Sequence, residues 1–94
     1  MIDKGDIVTV VALTGEFVGR VKEQTDQYIT LEHPRMFVQT EQGAGFGPGV
    51  SITGASGDDL KEASFNLNCV LTVIRSDDGA ASAWVQSTSG LILK

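Results

Sequence analysis

The chain has 94 residues, 41% of them hydrophobic and 20% charged, with seven Lys and Arg against twelve Asp and Glu and a net charge of −5. This size supports one domain around a single modest core, and the composition is that of a globular chain rather than a disordered one. The acidic balance disfavours sequence-blind binding to nucleic acid, which draws much of its affinity from cations meeting phosphates, and leaves room only for a local site on an acidic body.

The predicted elements are mostly strands. The β-branched run "IVTVV" opens the first, over residues 7–13. Thr14-Gly15 supplies a hairpin turn, because glycine takes the positive φ that such turns demand. Phe17, Gly19 and Val21 then point one way and Glu16, Val18, Arg20 and Lys22 the other. Gly19 inside a strand predicts a bend or a close backbone approach. Thr25-Asp26 marks the next turn, and Tyr28, Ile29 and Leu31 form a third strand that Pro34 interrupts or marks as an edge, with "MFVQ" as its extension.

Residues 41–59 hold six of the eleven glycines, a loop-rich excursion with "VSIT" as a short strand inside it. After it, Phe65, Leu67, Cys69, Leu71 and Val73 alternate with Asn66, Asn68 and Thr72, the clearest strand pattern in the chain. Ser76 or Asp77 then caps a short helix whose first turn carries acids at the favourable end of the dipole. Ala80, Trp84 and Thr88 share one face of it, Gly90 is its expected stop, and "LILK" reads as a last strand.

The glycines of "GAGFGPG" invite a phosphate-binding reading. Phosphate loops set their glycines between a strand and a helix N-terminus, and "VSIT" has no helical character. A bent loop joining strands is the expectation, with Phe46 either held out as a partner-facing plug or, the favoured reading, folded back over the core. His33 is the single histidine, and an exposed loop imidazole is expected beside Pro34. Cys69 sits on the alternating apolar face, where an inert buried thiol is expected. Asp58-Asp59 and Asp77-Asp78 suit caps and turns. No nucleophile has a base at recognisable spacing, so no enzymatic activity, cofactor or metal is expected. No apolar run approaches the ~20 residues that span a bilayer, and "MIDKGDIV" lacks the basic start of a signal peptide. The cytoplasm is the expected location, and no membrane partner is expected.

The first half, "GDIVTVVALTGEFVGRVKEQTDQYITLEHP", resembles the first motif of the Sm-like (LSm and Hfq-type) family of small β-barrels. The matching features are the apolar first strand, Gly15 in the hairpin turn, Gly19 in a bent second strand, the acid-containing turn at Asp26, and Leu31 in the third strand. The glycine-rich insertion and the "STSGLIL" ending are similar to Sm-like proteins of marine phages, including cyanophages. The resemblance implies a mainly β fold: a strongly bent barrel of about five strands with a glycine-rich insertion and a short helix near the C-terminus. The Arg-Gly pair typical of the family's second motif is absent, since "CVLTVI" is followed by "RSDDGAA" with the glycine displaced and acids between. The resemblance implies a ring-forming, non-enzymatic protein of phage origin that binds single-stranded RNA in the host cytoplasm. Tyr28 would stack on a base, Asp26 or Gln27 would bond its edge, and Arg20, Lys22 and Arg35 would meet phosphate.

An open barrel also leaves strand edges that need a partner, and pairing one copy's edge with the next gives a closed homo-oligomer. Phe65, Leu67, Cys69, Leu71, Val73, Leu91 and Leu93 are the edge candidates. The alternative is an oligomeric assembly module that binds a phage or host protein and no nucleic acid, which the acidic composition favours.

Overall fold

A computed structural model describes residues 2–92, and the side chains of 90–92 lie outside that description. Six strands and one helix follow in the order β1 (Ile7–Ala12), β2 (Gly15–Gln24), β3 (Tyr28–Thr40), β4 (Gly43–Phe46), β5 (Glu62–Asn66), β6 (Val70–Arg75) and α1 (Asp78–Ile92). All pairings are antiparallel. The sheet order is β4-β3-β2-β1-β6, with β5 also on β3. Since β2 runs along one edge of β3, β4 and β5 share its other edge. They pair with Phe37–Thr40 and Tyr28–Glu32 respectively, like two halves of one strand interrupted by residues 47–61. Among the described residues the sheet does not close. Its two ends, β5 and β6, are joined by a single 3-10 turn, Leu67–Cys69.

Two bulges bend the sheet. Opposite Gly19, β3 carries one residue more than β2, and the chain there turns through His33 at φ 46°. That conformation is costly for a non-glycine residue. It is held by His33 N–H donating to Lys61 O at 2.9 Å and by the Trp84 indole N–H donating to His33 O at 3.0 Å. Gly19 answers the bend: a Cβ there would lie 2.9 Å from Leu31 Cβ and 3.0 Å from Glu32 O. A second bulge leaves Lys22 unpaired in β2.

The concave face holds the core, Val8, Val10, Phe17, Val21, Ile29 and Leu31, with Met36, Val50, Phe65, Leu67, Val70 and Val73 packed against it. The opposite face is covered in part by α1. Trp84 and Thr88 are fully buried there, the Arg20 guanidinium lies 5.5 Å from the Trp84 ring centroid, and Thr88 Oγ1 donates back to Trp84 O. The Asp77 carboxylate caps the helix by accepting from Ala80 N–H at 2.7 Å.

Several expectations are corrected. The first four residues of the glycine stretch form β4, which brings the described residues to six strands where about five were expected. "VSIT" is not a strand but part of a looped insertion closed by a bridge between Gly49 and Ser56. Phe46 does not cover the core: it packs edge-on against Phe37, with centroids 5.6 Å apart, and Val50 reaches the core instead. The helix is fifteen residues long and continues through Gly90, so Leu91 is helical and offers no strand edge. A glycine inside a helix costs about 1 kcal/mol and does not by itself end it. Leu93 lies outside the described residues. The alternation over 65–73 is broken by the 3-10 turn. Phe65 before the turn, Leu67 at its start and Val70 and Val73 after it face the core, while Cys69 and Leu71 face outward. Cys69 is therefore exposed, not buried. His33 belongs to β3, with its Nδ1 buried and without a hydrogen-bond partner. It is not an exposed loop imidazole.

Candidate nucleic-acid interface

Residues 25–27 form a tight turn because Thr25 Oγ1 accepts from the backbone N–H of both Gln27 (3.2 Å) and Tyr28 (3.1 Å), a local arrangement that threonine favours. Thr25 N–H donates to Tyr28 O at 2.8 Å and closes the hairpin. The turn is also tied sideways. Tyr28 pairs with Asn66 across the β3–β5 ladder, and Leu67 N–H donates to Gln27 O at 2.8 Å. The Asn66 side chain accepts from Asn68 N–H at 2.9 Å and sets the 3-10 turn. Asp26, Gln27 and Tyr28 are thus brought beside Asn66 and Asn68, five exposed side chains on two abutting turns.

Tyr28 is 46% exposed and walls a shallow cleft of about 200 Å³, lined also by Glu23, Thr25, Thr30 and Ser64. The lining follows from register. Glu23 pairs with Thr30, and Thr30 with Ser64, a row across three strands on the face opposite the core. Tyr28 lies two residues along β3 and so shares that face. The Thr30 and Ser64 hydroxyls are 2.7 Å apart and bonded to each other.

Few cations reach this cleft. Lys22 Nζ donates to Glu62 Oε1 at 2.7 Å, and that hydrogen bond, then the carboxylate's charge, hold the lysine above its ordinary pKa. Arg35 does not belong to the interface. It is 4% exposed, facing away from the core opposite Val18, and donates to Pro34 O at 2.8 Å and Gly57 O at 3.1 Å. Burial pushes its pKa down, partly countered by the Asp58 charge. Its predicted phosphate role is withdrawn on these grounds.

Sequence reasoning missed Glu23, Thr30, Ser64, Asn66 and Asn68. The segment "RSDDGAA", which lacks the Arg-Gly pair of the second motif, leads into α1, and the turn that abuts residues 25–28 is the earlier "NLNC". The doublet Asn66-x-Asn68 was a usable signal, since an asparagine side chain readily bonds the backbone two residues on.

A second feature lies at the seam between the sheet's two ends. An apolar cleft of about 420 Å³ opens over Phe17, Phe65 and Val70, rimmed by Leu13, Val50 and Cys69. Phe17 and Phe65 form its floor with centroids 5.3 Å apart. Leu13 at the rim is 87% exposed, and Ile52, on the insertion, 98% exposed. Among the described residues, no group of three or more His, Cys, Asp or Glu could hold a metal ion, and no helix is long and apolar enough to cross a membrane. No family model matches the chain, and no curated protein sequence matches it.

Proposed function

We propose that this chain is a non-enzymatic Sm-like protein, of phage origin, that assembles into a homo-oligomeric ring and binds single-stranded RNA at the Tyr28 turn. One observation carries the reading: a strongly bent antiparallel sheet whose end strands, β5 and β6, are linked by a three-residue 3-10 turn and pair only with β3 and β1 among the described residues. Each keeps one unpaired edge, and such edges in natural proteins are paired or protected. Edge-to-edge pairing between copies satisfies both at once and closes into a ring. The same 3-10 turn sets Asn66 and Asn68 against Tyr28, so base stacking and edge recognition fall on one surface.

The test combines light scattering with anisotropy titrations of short U-rich, A-rich and guanine-containing RNA at two salt concentrations. The expected results are a mass several times the 10.0 kDa of one chain and RNA binding that Tyr28→Ala weakens by ~1–3 kcal/mol per stacked base. A monomer throughout the micromolar range, or a Tyr28→Ala protein that binds as the wild type does, would overturn the corresponding half. The second reading, an assembly module for a phage or host protein, is favoured by one observation, the apolar cleft with Leu13 at its rim. It predicts the ring without the RNA.

A further inference from the structure

We infer that the Tyr28 cleft selects guanine, through a bidentate contact of its Watson–Crick edge with Glu23; this rests on the proposal that the turn binds RNA. The hydrogen-bonding groups that line the cleft are few and can be counted. The Glu23 side chain is exposed and, among the described residues, makes no hydrogen bond or close ion pair, the charge of Lys22 acting on it only through space. Its neighbour Lys22 is occupied by Glu62. An ionised carboxylate only accepts, and its two oxygens are arranged to take two parallel donors. Thr25 Oγ1 already accepts two backbone N–H groups, so its own O–H remains to donate. In the Thr30–Ser64 pair one hydroxyl hydrogen is used within the pair and the other is left over. The cleft therefore offers a two-pronged acceptor at one side, hydroxyl donors at its floor, and an aromatic wall.

Only one of the four RNA bases presents adjacent donors on its Watson–Crick edge. Guanine has N1–H beside N2–H₂, with the O6 acceptor next to them for a hydroxyl. Adenine and cytosine each set one amino donor beside a ring-nitrogen acceptor, which would face the second carboxylate oxygen. Uracil flanks its single N–H with two carbonyl oxygens, and these meet the carboxylate as like partial charges. Discrimination then comes as much from repulsion of the wrong edge as from attraction of the right one. The same carboxylate repels phosphate, and no unpaired Lys or Arg lines the cleft. Binding should accordingly lose little affinity as salt rises, because few counterions are released.

The experiment measures anisotropy with four labelled hexanucleotides, AAGAAA, AAAAAA, AACAAA and AAUAAA, on wild type, Glu23→Gln and Tyr28→Ala. Wild type should bind AAGAAA about tenfold tighter than AAUAAA, the scale of one good bidentate base contact. Glu23→Gln should shrink that preference several-fold with an unchanged melting temperature, because Glu23 is exposed and bonded to nothing else. Tyr28→Ala should weaken all four alike. If AAUAAA binds as tightly as AAGAAA while Tyr28→Ala still weakens both, guanine selection is overturned and the RNA-binding reading stands. If the guanine preference survives intact in Glu23→Gln, the assignment to Glu23 is overturned. If none of the four binds, both readings fall.

Discussion

At position 19 the backbone of β2 passes so close to Leu31 and Glu32 that only glycine fits without displacement. Gly19→Ala should therefore lower stability by about 1–3 kcal/mol, the usual cost of forcing a group into a packed core, read as a fall in the urea midpoint. Gly45→Ala is the control: no atom lies within 4 Å of a Cβ built there, and its midpoint should stay near wild type. The bend at Gly19 is legible in the sequence because a glycine amid alternating apolar residues weakens its strand and marks a place where the backbone needs the room. The burial of Arg35 is not legible. Whether a charged side chain is enclosed depends on Gly57 and Asp58, which are brought to it by the long return of the insertion. Glu23 was hidden for a related reason. The bulge at Lys22 shifts the phase of β2, so a residue that simple alternation puts on the core face stands beside Thr30 on the other.

Among the elements, β6 and the insertion carry the clearest tests. Leu71 is 64% exposed on a strand that, among the described residues, pairs only with β1. Leu71→Lys places a charge of the kind that blocks edge pairing in natural sheets, and it should leave a folded chain of one-copy mass by light scattering. In the insertion, Val50→Ser removes a side chain packed on the core, whereas Phe46→Ser removes only a partner of Phe37. The first should cost more than the second in a thermal melt, where an isolated aromatic pair is worth about 0.5–1.5 kcal/mol beyond its area. An equal or reversed order would mean that the glycine hairpin is tied to the core in some other way. Strand β1 was legible as a β-branched run and β2 by its alternation, both set off by turns with glycine, threonine or aspartate, whereas β3 passes through Pro34 to Thr40 with a bulge where an interruption or an edge was expected. The division of residues 65–73 was not. An asparagine-capped 3-10 turn shifts the phase while the letters go on alternating, and period alone does not register a shift that the side chain of Asn66 creates.

For the whole molecule, the described structure is a bent sheet with its hydrophobic core on one face and a helix on part of the other, and the helix is joined to it through few groups. Trp84 is chief among them, and it is the single tryptophan of the chain. Its ring is fully buried, beside Arg20, and its N–H is held by the carbonyl of a residue in a strained conformation. The molecule thus carries a built-in optical probe at the junction between its two parts. Tryptophan emission should shift to the red when α1 leaves the sheet, while the far-ultraviolet dichroism of the strands reports the sheet itself. Two transitions separated along a urea titration would mean that the helix detaches as a unit of its own, as local opening of weakly attached elements allows. A single coincident transition would mean that the strain at His33 is released only when the whole sheet unravels.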